Sequence, residues 1–483
     1  MNNPRVSTIA AIALLSLASL STTGAQDKSA ATTLKSAIAK HVETYKPTML
    51  PDRVVLTWAG DPRTTQAVTW RTSTAVDHAI AELAIADAGP NFPAKAKQLL
   101  AQTERLQSDL SDAHYHSVQF VDLLPATKYV YRVGDGVNWS EWFHFRTASD
   151  KPESFSFIYL GDAQNSIRSL WSRVIRGAYS DAPQSRFIIH AGDLITTAES
   201  DAEWGEWFGA GGWINGMVPS VPVPGNHEQA KAEDKKLRLT KHWRPQFTLL
   251  ENGPPTLPET CYTFEYQNCR IIALNSNEQI DVQTAWLESV LHENKSPWIV
   301  CTFHHPIYSS AKDRDNAALR AAWKPLFDKY HVDLVLQGHD HTYGRTGLEV
   351  PAFIEPVKKA DEKASVEPVA TVVPVPAATA NDSTGQAVTT GTVYVVSVSG
   401  PKMYNNQRQP FMKRVAEDTQ LYQIIRIEGD RLHFEARTAT GEIYDCFELQ
   451  KQPGTINRLT EIAPEIEARM RLEKKSETKE PVK

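Results

Sequence analysis

Five short stretches of this chain gather side chains that bind metal ions. They are Gly161-Asp162-Ala163-Gln164, Gly192-Asp193-Leu194, Gly225-Asn226-His227-Glu228, His304-His305-Pro306 and Gly338-His339-Asp340-His341. Their donors are carboxylate oxygen, amide oxygen and imidazole nitrogen, a set that suits Zn, Fe, Mn or Ni. No cysteine lies among them, which argues against an iron–sulfur or structural zinc site. An aspartate has two oxygens and can bridge, so the set suits two cations about 3.5–4 Å apart. Each stretch alone also has a plain reading, since Gly-Asp at a strand end commonly makes a turn. The combination carries the argument.

Each stretch follows an apolar run with the look of a buried strand: residues 155–160, 187–190, 221–223, 298–303 and 332–336. A parallel sheet opens the carboxyl ends of its strands into one crevice, where loops from distant parts of the sequence converge. From residue 155 to about 449 the chain alternates such strands with helical stretches, at 170–178 and 284–293, as an α/β sheet does. In the second helix Trp286, Leu287, Val290 and Leu291 share a face. Strands are also expected at 392–399, 421–428, 432–438 and 443–449. Ahead of this region, short strands at 54–58, 66–71, 78–84, 114–123, 128–133 and 141–147 predict a β-sandwich. Trp58, Trp70, Trp139 and Trp142 read as its packing residues.

The chain has 483 residues, 41% of them apolar, which is enough for two domains with tails. A net charge of −6 and the lack of a basic stripe give no footprint for nucleic acid. Residues 1–25 read as a signal peptide: Arg5, an apolar stretch at 9–20, then Thr23-Gly24-Ala25 for cleavage. The stretch is too short to span a bilayer. The expectation is therefore a periplasmic or secreted protein with no stable membrane span after cleavage. Residues 26–50 read as a linker or helix, 51–149 as the sandwich and 153–450 as the α/β domain. A low-complexity insertion occupies 354–390, and 451–483 form a charged tail with a frayed helix from Glu461. Cys261 and Cys269 bracket a hairpin whose Gln267-Asn268 turn sets Tyr266 opposite Cys269, so the four cysteines read as buried free thiols.

The order and residue types of the five motifs resemble the calcineurin-like metallophosphoesterase superfamily, and within it the purple acid phosphatase branch. That pattern runs DxG, GDxxY, GNH with an acidic residue, VxxH and GHxH. The third and fifth blocks match; the first reads Asp162-Ala163-Gln164, the second ends in Thr196 and the fourth begins with Cys301. Leu124-Pro125-Ala126-Thr127-Lys128-Tyr129 is similar to a late-strand signature of fibronectin type III-like domains, in which the Leu and the Tyr fill the core. Such a domain precedes the catalytic one in many purple acid phosphatases. The fold implied is an N-terminal β-sandwich followed by a four-layer αββα sandwich.

The resemblance also implies roles. Asp162, Asp193 and His341 would hold one metal, and Asp193, Asn226, His304 and His339 the other, with Gln164 and His305 as additional candidates. His304 is preferred over His305 because the family ligand stands two residues before the Pro. His227 would be catalytic, stabilising the transition state or protonating the leaving oxygen, with Glu228 fixing its tautomer. The implied activity is hydrolysis of small phosphate monoesters by hydroxide generated at two transition-metal ions such as Fe, Zn or Mn. Two alternatives stand beside it: a phosphodiesterase or nucleotidase using the same site, and a noncatalytic exported metal-binding or adhesion protein. Thr196 stands where the branch places a tyrosinate on ferric iron, so the purple colour is not expected. Tyr308, Tyr343, Arg345, Asn275 and Tyr404 are weaker candidates for the pocket.

Overall fold

The structure is a computed structural model that describes residues 40–351, 387–389, 391–452 and 454–471. The expected signal peptide, most of the linker, nearly all of the 354–390 insertion and the end of the tail lie outside the described residues. The chain forms two compact units, residues 1–46 and 47–483. In the first, residues 40–44 are helical.

The second unit begins with two four-stranded antiparallel sheets facing each other. One joins Asp52–Thr57, Gln66–Thr72, Asp112–Phe120 and Gln102–Gln107; the other joins Lys97–Leu100, Ile80–Ile85, Lys128–Gly134 and Phe143–Arg146. Alternation puts Val68, Trp70, Val118 and Phe120 of one sheet against Tyr129, Tyr131, Val133 and Phe145 of the other. The strands at 97–100 and 102–107 escaped the sequence reading because they are edge strands whose side chains are mostly exposed, so no apolar alternation marks them. The core leucine is Leu123; Leu124 is 56% exposed, contrary to expectation, and its N–H instead donates to the Tyr129 hydroxyl at 2.9 Å. Trp58 and Trp70 are buried packing residues, and Trp139 and Trp142 carry the Arg132 guanidinium on their faces.

Two seven-stranded mixed sheets follow. In the first, Phe155–Leu160 lies between Ile188–His190, which is parallel to it, and Leu421–Glu428, which is antiparallel. In the second, Cys269–Ala273, Trp298–Thr302, Leu334–Gln337 and Val393–Val396 run parallel. One continuous apolar core takes Phe157, Ile189 and Ile425 from the first sheet and Ile271, Val300, Leu336 and Val395 from the second. The Tyr159 hydroxyl crosses between the sheets to the Gln337 carbonyl and accepts from the Gln337 N–H at 3.0 Å. Helices Ser172–Asp181 and Asp201–Gly211 contribute to the core on the first sheet. Ile280–Glu293 and Ala317–Lys329 pack on the second through Leu287, Leu291, Trp323 and Phe327. This is the αββα arrangement.

The tail is a correction. Arg458–Ile462 is the seventh strand of the first sheet, paired with Ile443–Gln450, and residues 463–471 contain no helix. Its alternation of charged and apolar residues suits an edge strand with one wet face, whereas charge content alone predicts a solvated tail with a frayed helix from Glu461. Cys261, Cys269, Cys301 and Cys446 are buried free thiols, and Tyr266 pairs with Cys269 in the expected hairpin. Among the described residues no helix is long and apolar enough to cross a membrane.

Candidate metal centre

The five motifs leave their strands in tight loops whose backbone is unusual. Asp193, His339 and His341 have φ of 53°, 75° and 47°. Side chains other than Gly rarely enter this left-handed region, and such conformations persist where the surroundings overdetermine them. Glu228 supplies much of that determination: its buried carboxylate accepts the N–H groups of Gly225 at 2.6 Å, Leu194 at 2.8 Å and Asp193 at 2.9 Å. It therefore ties the second and third motifs together and, contrary to expectation, does not hold the His227 imidazole, whose Nδ1 goes to Thr196 O. Gly225 must lack a side chain, since a Cβ there would lie 2.2 Å from Asp193 Oδ1.

The donors form two groups that share Asp193. In one, Asn226 Oδ1 lies 2.8 Å from His339 Nδ1 and 3.1 Å from His304 Nε2, and His304 Nε2 lies 3.2 Å from Asp193 Oδ2. In the other, Gln164 Nε2 lies 2.8 Å from Asp193 Oδ2 and 3.0 Å from His341 Nε2, which is 4.0 Å from Asp162 Oδ2. Backbone carbonyls set the tautomers. His304 Nδ1 donates to Ala191 O and His341 Nδ1 to Lys402 O, both at 2.9 Å, which turns each Nε2 toward the cluster.

These residues fit a pair of cations. Asp162 Oδ2 and Gln164 Oε1 are buried without a hydrogen-bond partner, which is costly unless something electropositive meets them. The charges agree. Burial pushes the Asp162 carboxyl up to about 8 against the pull of His304. Asp193 is held low despite its burial, chiefly by His304. His304 in turn is raised to about 9 although burial opposes it, because the Asp193 carboxylate holds its proton. The Asp193 carboxylate thus keeps the His304 imidazole charged, and a cation at these donors would displace that proton.

His227 stands beside the cluster. Its N–H donates to Asp193 Oδ1 at 2.9 Å, and its Nδ1 donates to the Thr196 carbonyl at 2.5 Å. Nε2 has no hydrogen bond among the described residues. His305 adjoins the centre: its ring lies 4.4 Å from that of His339, and its Nδ1 pairs with Ser276 Oγ at 2.9 Å. Nitrogens of His304, His305 and His339 fall within 4.8 Å of one another. The Thr196 hydroxyl accepts from the Asn165 N–H at 3.1 Å and braces the first loop.

Four weaker candidates are structural. Arg345 is buried in ion pairs with Asp445 and Glu461, Tyr343 donates to Asp445, and Tyr308 donates to the Pro351 carbonyl. Asn275 is likewise turned to its own loop, pairing with Gln283, Glu278 and Asn277. Tyr404 does border the centre, with its ring 4.7 Å from His341. Arg314 was missed: its guanidinium lies over Tyr404 at 4.8 Å and donates to the His339 carbonyl at 3.2 Å. It stands ten residues beyond His304 in a charged loop, and only the return of that loop brings it here.

Residues 51–147 match the purple acid phosphatase N-terminal domain, and residues 155–343 match the calcineurin-like phosphoesterase family. The chain belongs to the calcineurin-like phosphoesterases, in their purple acid phosphatase branch. Such proteins are phosphatase hydrolases. The chain is 26% identical over 334 residues to acid phosphatase type 7 of Homo sapiens, covering 62% of this chain and 71% of that one. It is 24% identical over 254 residues to Fe(3+)-Zn(2+) purple acid phosphatase 12 of Arabidopsis thaliana, covering 49% and 53%. A purple acid phosphatase from yellow lupin (Lupinus luteus) seeds shares the fold at a TM-score of 0.65 and 16% identity, covering 84% and 76%. The chain spans between 52% and 71% of the length of the first curated relatives it matches.

Proposed function

We propose that this chain is an exported, metal-dependent phosphatase that hydrolyses small phosphate monoesters at a dinuclear centre. The observation that carries the reading is the meeting of Asp162, Asp193, Asn226, His304, His339 and His341 around buried, unpartnered acceptor atoms. Asp193 would bridge, with Asp162, Gln164 and His341 on one side and Asn226, His304 and His339 on the other. When bound, two cations neutralise phosphoryl oxygens and lower the pKa of water. The chain's own part is to orient these donors and to keep His227 Nε2 available to the leaving oxygen, as an acid or as a hydrogen-bond donor to developing charge. The Arabidopsis relative is named for an iron–zinc pair; with Thr196 in place of a phenolate, a pair of divalent ions suits this chain. Export rests on the pattern of residues 1–25.

The test is metal analysis of purified protein together with hydrolysis of p-nitrophenyl phosphate and bis(p-nitrophenyl) phosphate. Two ions per chain and chelator-sensitive preference for the monoester are expected. Faster diester cleavage would favour the phosphodiesterase reading. No hydrolysis of either ester with any metal would favour the noncatalytic one. Fractionation of cells expressing the full chain tests export, and residence in the cytosol would overturn it.

A further inference from the structure

We propose that Glu203 is a positioning residue for His227, acting through the peptide unit between Thr196 and Thr197; the inference rests on the role of His227 given above. Glu203 Oε2 accepts the N–H of Thr197 at 3.0 Å and that of Thr196 at 2.5 Å. The carbonyl of that same 196–197 peptide accepts Nδ1–H of His227 at 2.5 Å. A peptide whose N–H meets an anion becomes a stronger acceptor at its oxygen, because hydrogen bonds in series polarise one another. Glu203 therefore does, one peptide removed, what a carboxylate does when it holds a catalytic imidazole directly in one tautomer and orientation. Nδ1 keeps its proton, so the second proton of the imidazolium sits on Nε2, where it faces the leaving oxygen.

The carboxylate is itself well held. Glu203 lies in the first turn of Asp201–Gly211, where the helix dipole favours an anion, and its N–H donates to the capping Ser200 hydroxyl at 3.4 Å. Two residues earlier, Asp201 is locked by the buried guanidiniums of Arg53 and Arg71. On the other side of the loop, the Thr196 hydroxyl accepts from Asn165. The 196–197 peptide thus has little freedom to turn away from His227.

The experiment compares Glu203→Ala and Glu203→Gln with Glu206→Gln, a control whose wild-type carboxylate accepts from the Arg168 N–H elsewhere. On metal-loaded enzyme, Glu203→Ala is expected to lower kcat for an alkyl phosphate about 10-fold, a part of what a positioned acid contributes. KM, metal content and turnover of p-nitrophenyl phosphate should hardly change, and Glu203→Gln should lie between. In a His227→Ala background, Glu203→Ala should have no further effect. In the neutral ring, imidazole 15N shifts should show the Nδ1–H tautomer of His227 in the wild type and a mixture in Glu203→Ala. Equal losses on both substrates, effects that multiply with His227→Ala, or a wild-type Nε2–H tautomer would each overturn the proposal. If Glu203→Ala does not fold, Glu203→Gln carries the same comparisons. If the wild type hydrolyses no phosphate ester, the functional reading fails, while the 15N measurement still decides this inference.

Discussion

Asp193 takes part in both donor groups, through an Oδ2 shared by His304 and Gln164. Asp193→Ala is therefore expected to lose both metal ions, whereas His341→Ala should lose mainly one; elemental analysis after reconstitution distinguishes them. His227→Ala should behave differently. It removes a group that touches Asp193 only through its backbone N–H, so metal content should remain while turnover falls on the order of 10²–10⁴-fold. The loss should be smallest for substrates with good leaving groups, which need little proton assistance. At Thr196, the side chain is committed to Asn165 and carries no acidic oxygen, so iron-loaded protein should lack a phenolate charge-transfer band. A visible absorption spectrum checks this.

At the scale of elements, the centre depends on how closely the loops after the strands approach one another. Gly225 sits with its backbone against Asp193, and Glu228 clamps both loops through their N–H groups. Gly225→Ala is expected to push Asp193 out of place and to lower metal occupancy of both groups, read by titration calorimetry with Zn or Mn. The far-UV circular dichroism should stay unchanged, because the strands on either side are buried in the common core. Glu228→Gln keeps the size but weakens charge-assisted bonds to three N–H groups, so a milder loss of affinity is expected.

At the scale of the molecule, the sandwich and the two-sheet region are joined by a buried ion cluster. Arg53 and Arg71, from adjacent sandwich strands, reach Asp201 at 2.7 and 3.2 Å, and Arg53 also meets the Tyr115 hydroxyl at 2.9 Å. Removing one partner of a buried pair leaves an uncompensated charge, so Asp201→Ala should cost about 3–5 kcal/mol and lower the melting temperature clearly. Acid should also destabilise the protein. Burial lowers His190 to about 3 and His116 to about 4, the latter with help from His114. Unfolded, both would bind a proton near pH 6.5, so the unfolded state takes up protons first as pH falls. Their stabilisation is full above about pH 6.5 and is lost towards pH 4, by on the order of 3 kcal/mol each. Melting curves between roughly pH 7 and pH 4 should be less pH-dependent for His190→Gln than for the wild type.

Strand-forming runs ending in Gly, Asp, Asn and His were legible because burial on both faces and the chemistry of ligands each restrict residue type locally. That sufficed for the order of elements, the donors and the family resemblance. It did not reach what depends on pieces far apart in sequence meeting in space. The exposed edge strands at 97–107 and the strand Arg458–Ile462 carry weak patterns because only one face of each is packed. Glu228 looked like a partner of its neighbour His227, yet its side chain turns to Asp193 and Leu194, and Thr196 O takes the imidazole instead. Arg345 is a pocket candidate by its place beside the fifth motif, yet it is buried against Asp445, 100 residues on. Residue type narrows what a side chain can do, but which way it faces is decided by backbone dihedrals and by neighbours that only the closed sheets bring within hydrogen-bond distance.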